Sequence, residues 1–250
     1  MIDVITPAIK QDLKMLDKSI DSVRKYVIDG INDIYVISPN DSEIKSFCDK
    51  KGVIMIDEID VVGFAKNDFN IGNNSRNGWL YQQLIKLNGD KIAKTDNFLV
   101  IDSDHVLLKP HIFFDGKYHF YTSNDYHEPY FRAIEKLFNG KYKKEINKCF
   151  IIDKMIFNKN MLSSMKNEIE LINKDTWTNS IIKSYFKGSF SGFSEYETYG
   201  TYFTNKNKMF ELHDGLTYMS FNKSIEDMNI SELSEKYNNY MSITEHKYAK

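Results

Sequence analysis

Up to Pro110 the chain alternates short, wholly apolar, β-prone runs with longer segments spaced like helices, and this alternation restricts the fold more than any other feature. Residues 2–6 form the first run, closed by Pro7. Leu13, Leu16, Ile20, Val23 and Val27 then recur at steps of three and four, the period of a helix with one apolar stripe. Ile34-Tyr35-Val36-Ile37 is a second run, stopped by Ser38-Pro39-Asn40-Asp41. Ile44, Phe47 and Cys48 mark a short helix, and 53–56 is a third run. A stretch rich in Asn, Asp and Gly, 64–77, reads as a loop. Helical spacing resumes over 79–87, and Phe98-Leu99-Val100-Ile101 is a fourth strand. Continuously apolar strands alternating with helices predict an α/β fold. Its Rossmann-like, mostly parallel sheet carries helices on both faces and ligand loops at the carboxyl ends of the strands.

After Lys109-Pro110 the pattern loosens, with β-prone pieces at 118–122 and 150–152 and helix-like pieces at 132–138 and 162–172. No linker composition and no repeat separates the two parts, so one continuous domain, 1–250, is expected, with a nucleotide-binding half over about 1–110. Apolar residues make up 42% of the chain, enough for a sizeable core, which excludes disorder. Thirty-three basic against 35 acidic residues leave a net charge of −2, which argues against nucleic acid or an anionic membrane as the main partner and favours a small molecule. Cys48 and Cys149 sit in apolar stretches and read as reduced core thiols. The start Met1-Ile2-Asp3-Val4 lacks a basic segment followed by an apolar run, and no apolar run approaches the roughly 20 residues of a membrane span. The expected compartment is the cytoplasm, with no transmembrane segment.

The sharpest chemistry follows the fourth strand, in Asp102-Ser103-Asp104-His105. In an extended chain residues two apart share a side, so Asp102 and Asp104 converge on a hard cation such as Mg²⁺ or Mn²⁺, which suits carboxylate and diphosphate oxygens alike. An isolated Asp-x-Asp is usually an ordinary turn. Its place after four strand-helix units gives it weight here.

With this strand, this motif and the β/α first half, the sequence resembles GT-A glycosyltransferases of bacterial type, which use nucleotide sugars. The resemblance covers nearly the whole chain in weak form and makes about 111–250 the acceptor half. It implies that Asp104 binds the metal directly, while Asp102 and Ser103 assist or meet the ribose. It also implies a catalytic carboxylate near Gly192-Phe193-Ser194-Glu195-Tyr196-Glu197. Ser194 and Glu197 fit a capping box, which gives Glu197 a structural task. Glu195 is therefore the expected base and Glu197 the reserve. Against this stands a solvated first-turn glutamate, favoured by the helix dipole. A third metal ligand in such folds is often a C-terminal histidine, and both His213 and His246 qualify. His105 is weaker, since it points away from its aspartate neighbours in an extended chain.

By topology, Thr6, Pro7, Ala8, Ser38 and the stretch Asp57-Glu58-Ile59-Asp60 belong to the donor pocket. On the helix from Trp79, Leu80, Leu84 and Leu87 form one stripe and Trp79, Gln83 and Lys86 the next. Arg76, Gln82, Gln83 and Lys86 are thereby candidates to meet diphosphate or sugar hydroxyls, the alternative being a solvated helix face. Tyr126-His127-Glu128-Pro129-Tyr130 is a candidate acceptor loop.

The expected reaction is transfer from a nucleotide diphosphosugar, a UDP-sugar being favoured, to a hydroxyl of a glycan or lipid-linked saccharide. Mn²⁺ or Mg²⁺ assists, inversion is favoured, and glycan or surface-polysaccharide synthesis is the setting, with peripheral membrane contact. Two alternatives stand beside it. A haloacid-dehalogenase-like phosphatase would use Asp102 as nucleophile and Asp104 as acid/base with Mg²⁺. The late position of the motif and the lack of a later paired-aspartate motif speak against that. The other is a nucleotide-sugar-binding module without turnover.

Overall fold

The four apolar runs of the first half pair in parallel, the pairing that helical crossovers between successive strands impose. A computed structural model describes residues 1–72, 74–221 and 225–246, with the side chains of Asn74, Ser75 and His246 outside that description. The strands are β1 (Ile2–Pro7), β2 (Ile31–Ser38), β3 (Ile54–Asp57) and β4 (Asn97–Ile101). Between them run α1 (Leu13–Tyr26), α2 (Ser42–Lys51), α3 (Glu58–Val62), α4 (Asn74–Leu87) and α5 (Gly89–Ile92). Then follow β5 (His105–Leu107), β6 (Tyr118–Thr122), α6 (Glu128–Leu137), β7 (Lys154–Asn158), α7 (Lys159–Asn173) and α8 (Trp177–Ser184). The described chain ends with α9 (Glu195–Lys206), β8 (Phe210–Asp214), β9 (Thr217–Phe221), α10 (Ile230–Lys236) and β10 (Ser242–His246).

The main sheet has the order β3-β2-β1-β4-β7. Its first four strands are parallel, and β7 runs antiparallel to β4 with Ile101 opposite Lys154. The chain steps outward from β1 through β2 to β3, then returns to place β4 on the other side of β1. Strand order therefore reverses between β1 and β4, and in such sheets the crevice outside those two carboxyl ends is where ligands bind. Phe98, Leu99, Val100 and Ile101 are each at most 1% exposed, so β4 is covered on both faces. One apolar core extends from Ile2 to Phe203 and draws on both halves of the chain. A smaller one joins Met15 of α1 to Val106, Leu108, Leu233 and Ile243 beneath a second sheet of order β5-β10-β9. Strands β6 and β8 pair in parallel as a third, two-stranded sheet. Among the described residues no helix is long and apolar enough to cross a membrane. Cys48 and Cys149 are buried free thiols.

Several local expectations need correction. Residues 150–152 are not a strand: Phe150 and Ile152 are apolar because they lie in the core, and the strand that pairs with β4 starts only at Lys154. The loop expected over 64–77 is shorter because α4 begins at Asn74, where a polar first turn hides the helix from apolar periodicity. Asp57 proves to be the N-cap of α3, its side chain accepting from the Ile59 amide. The chain is also not extended through Asp102-Ser103-Asp104. The His105 amide donates to the Asp102 carbonyl at 3.1 Å, closing a four-residue turn between β4 and β5.

Candidate active site

That turn stands at the carboxyl end of β4, beside the strand-order reversal. Its backbone is held from two sides, by the Asp102 amide donating to the Asp153 carbonyl at 2.9 Å and by the Glu245 amide donating to the Asp104 carbonyl at 3.1 Å. Ser103 and His105 are buried, Ser103 Oγ donating to Asp12 Oδ2 at 3.1 Å. Asp102 and Asp104 keep partial exposure. Two further carboxylates, Asp12 and Asp153, lie close enough to act on Asp104. Burial, followed by repulsion from Asp102, Asp153 and Asp12, holds the Asp104 carboxyl well above its usual range. Asp102 is pushed up to about 7, chiefly by burial and then by Asp153 and Glu195, with the Lys86 ammonium acting the other way.

Behind the turn lies a buried ionic triad. Lys86 on α4 is 3% exposed, and its Nζ sits 2.5 Å from Asp102 Oδ1 and 2.7 Å from Glu195 Oε1. It also lies 4.5 Å from the ring centroid of Tyr196, whose hydroxyl donates to Asp102 Oδ1 at 3.2 Å. One turn back on α4, Gln83 accepts the Glu195 amide on Oε1 at 3.1 Å, while its buried Nε2 has no partner among the described residues. The α4 face carrying Gln83 and Lys86 is therefore buried rather than solvated. Glu195 is 3% exposed, which removes the solvated first-turn alternative.

Glu197 departs from the expected capping box. Ser194 Oγ does accept the Glu197 amide, but the Glu197 carboxylate turns to the Phe150 amide at 2.7 Å instead of capping Ser194. It is fully buried, and burial, countered by that amide, pushes its carboxyl up to about 7. Arg76 does not face the turn. Its Nε donates to the Phe190 carbonyl and its Nη2 to Ser191 Oγ, both at 2.8 Å, pinning the segment before α9 against α4. Gln82 is half-buried on the same helix. Thr6 and Pro7 end β1, Ala8 follows it and Ser38 ends β2, all four buried, and the Thr6 hydroxyl has no partner among the described residues. In the candidate acceptor loop, Tyr126 is exposed and stacks on Phe131, while His127 Nε2 bonds to the Ser191 carbonyl.

His213 is not at this turn. It lies on β8, with Nε2 2.8 Å from His119 Nδ1 of β6. The side chain of His246 lies outside the described residues; its strand pairs Thr244 with His105 beside the turn. His105 is buried against Thr244, Asp153 and the Lys154 ammonium. Asp12, Asp153 and Tyr196 were missed from sequence. Tyr196 lay inside a motif already singled out, whereas nothing local marked Asp12 or Asp153.

The donor set at the turn is all oxygen, and mutual repulsion among its carboxylates adds to burial in raising Asp102 and Asp104, despite the Lys86 ammonium paired with Asp102. This fits a hard divalent cation.

Comparison with protein families finds one whose model matches residues 3–245, described as a family of unknown function (DUF6492). No curated protein matches. Among solved structures, the chain is similar to a galactosyltransferase LgtC in complex with donor and acceptor sugar analogs, at TM-score 0.49 and 13% identity, covering 100% of this chain and 88% of that one. It is also similar to mouse xyloside xylosyltransferase 1, at 0.49 and 11%, covering 99% and 98%. A third is glucosyl-3-phosphoglycerate synthase from Mycobacterium tuberculosis with Mn²⁺ and UDP, at 0.40 and 14%, covering 74% and 67%.

Proposed function

The chain belongs to the DUF6492 family, whose function is unknown, and from that premise and the site geometry we propose that it is a metal-dependent glycosyltransferase using a nucleotide diphosphosugar, with a UDP-sugar favoured. The observation that carries this reading is the Asp102–Asp104 turn at the strand-order reversal, backed by the Lys86–Glu195 pair. Asp104 and Asp102 would hold Mn²⁺ or Mg²⁺, which when bound neutralises charge gathering on the departing diphosphate. Thr6, Pro7, Ala8 and Ser38 shape the nucleotide side of the crevice. Gln83 and Lys86 fix Glu195, at its backbone amide and its carboxylate respectively.

Glu195 is the base that takes the acceptor hydroxyl proton, and attack assisted in that way inverts the anomeric configuration. Glu197, bound to the Phe150 amide, serves the scaffold. The exposed rings of Tyr126 and Phe190 offer apolar faces to a saccharide acceptor, a glycan or a lipid-linked sugar, in glycan or surface-polysaccharide synthesis.

A panel of nucleotide sugars and saccharide acceptors, assayed with and without Mn²⁺, tests the proposal. Transfer is expected with Mn²⁺ only, and Asp104→Asn is expected to lower kcat/KM at least about a hundredfold, the scale on which loss of one charge-stabilising group acts. Full activity in Asp104→Asn would remove its role. Phosphate release from phosphomonoesters without nucleotide sugar would instead identify a phosphatase, and nucleotide binding without turnover on any acceptor a binding module.

A further inference from the structure

Away from the carboxylate turn, the two-stranded sheet gathers a second set of ligating groups. Strand β6 pairs in parallel with β8 so that His119 stands opposite Glu211 and Tyr121 opposite His213. Residues two apart on a strand share a face, which puts Glu211 and His213 on one side of β8. One ligating atom from each of His119, Glu211 and His213 lies within 4.8 Å of the others. The two imidazoles approach closest, His119 Nδ1 to His213 Nε2 at 2.8 Å with the rings stacked, and Glu211 Oε2 is 4.0 Å from His119 Nδ1.

The far side of His119 fixes its tautomer. Its Nε2 is 2.8 Å from Asp115 Oδ1, and an ionised carboxylate only accepts, so the ring proton belongs on Nε2 and the Nδ1 lone pair faces His213. A histidine whose outer nitrogen is anchored on a carboxylate while its inner nitrogen faces other ligands is the arrangement that orients metal-binding imidazoles. Lys117 now pairs with Glu211 Oε1, but both side chains are about half exposed, so Glu211 can turn inward at little cost.

We propose that His119, Glu211 and His213 form a binding site for a borderline divalent cation, Zn²⁺ by ligand type, separate from the Asp102–Asp104 turn. Two imidazoles and one carboxylate match zinc, with a fourth position left to water. On binding, the His213 Nε2 proton shared with His119 Nδ1 would move to Nδ1 of the same His213 ring by exchange with solvent, so that both imidazoles stay neutral and both facing lone pairs are free for the ion. An isolated pair of strands is marginal by itself, and the ion ties β8 to β6 across that pair.

The test uses the full chain freed of metal by dialysis against a chelator and titrated with Zn²⁺ in competition with a chromophoric chelator. Co²⁺ absorption serves as a second readout of nitrogen-rich coordination. One Zn²⁺ equivalent is expected, retained when Asp102→Asn and Asp104→Asn are combined and lost in His119→Gln and in His213→Gln. Asp115→Asn is expected to weaken binding about tenfold to a hundredfold. Should the buried His119 variant fail to fold by circular dichroism, Glu211→Gln at the exposed ligand replaces it and is likewise expected to bind more weakly. Absence of Zn²⁺ binding in the wild-type chain, or unchanged affinity in the folded His213 and Glu211 variants, overturns the site.

Discussion

Lys86 holds two carboxylates that would otherwise share a small, dry space. Replacing it with methionine keeps the volume and removes the charge, leaving Asp102 and Glu195 without their common cation. Breaking a buried ion pair from one side costs about 3–5 kcal/mol. Lys86→Met is therefore expected to lower unfolding free energy on that scale at neutral pH, and a urea titration showing less than about 1 kcal/mol of loss would mean that the triad is solvated. Glu197 gives a pH signature. Its carboxyl is raised from 4.5 to about 7, so the native state keeps a proton that the unfolded chain has released between those values. Its contribution to stability is complete below pH 4.5 and is lost as pH rises through about 7, amounting to about 3 kcal/mol in all. Glu197→Gln is expected to remove this fall from the pH profile of unfolding. A variant that retains the wild-type slope would assign the fall to another group.

At the scale of elements, α9 and its junction with α4 decide the geometry around the turn. The N-terminus of α9 delivers Glu195 and Tyr196 to Lys86 and Asp102, and the helix can sit there only because of Gly200. A Cβ at that position would lie 2.2 Å from the Phe150 ring. Alanine for glycine in an ordinary helix stabilises by about 1 kcal/mol. Here the reverse is expected, a loss of about 1–3 kcal/mol from overpacking, measurable by thermal unfolding. Stabilisation in Gly200→Ala would show that α9 has room to retreat. Arg76 acts between elements as well: its guanidinium lies over the rings of Trp79 and Phe190 and so ties α4 to the chain entering α9.

For the whole molecule, the crevice between β1 and β4 predicts that ligand binding reads out as folding stability. At free UDP a hundredfold above Kd, the native state gains about 2.7 kcal/mol, or roughly 5–10 °C in Tm for a domain of this size. The shift is expected only with Mn²⁺ or Mg²⁺ present and is expected to vanish when Asp102→Asn and Asp104→Asn are combined. An equal shift without divalent cation, measured by differential scanning fluorimetry, would separate nucleotide binding from the carboxylate turn.

The amino-acid order alone determined the features whose cause is local. Apolar runs such as 98–101 and the three-and-four spacing of α1 specify strand and helix because side-chain period and burial are written along a single segment, and the acidic pair after β4 was legible for the same reason. Long-range pairing decided the rest. The insertion of Lys86 between Asp102 and Glu195, the arrival of Asp153 beside the turn and the meeting of His119 with His213 all join residues remote in sequence. Each depends on which strands lie side by side and on the desolvation that follows. Neither is encoded in a window of neighbouring residues, so Glu197 resembled a capping partner of Ser194 until packing gave it the Phe150 amide.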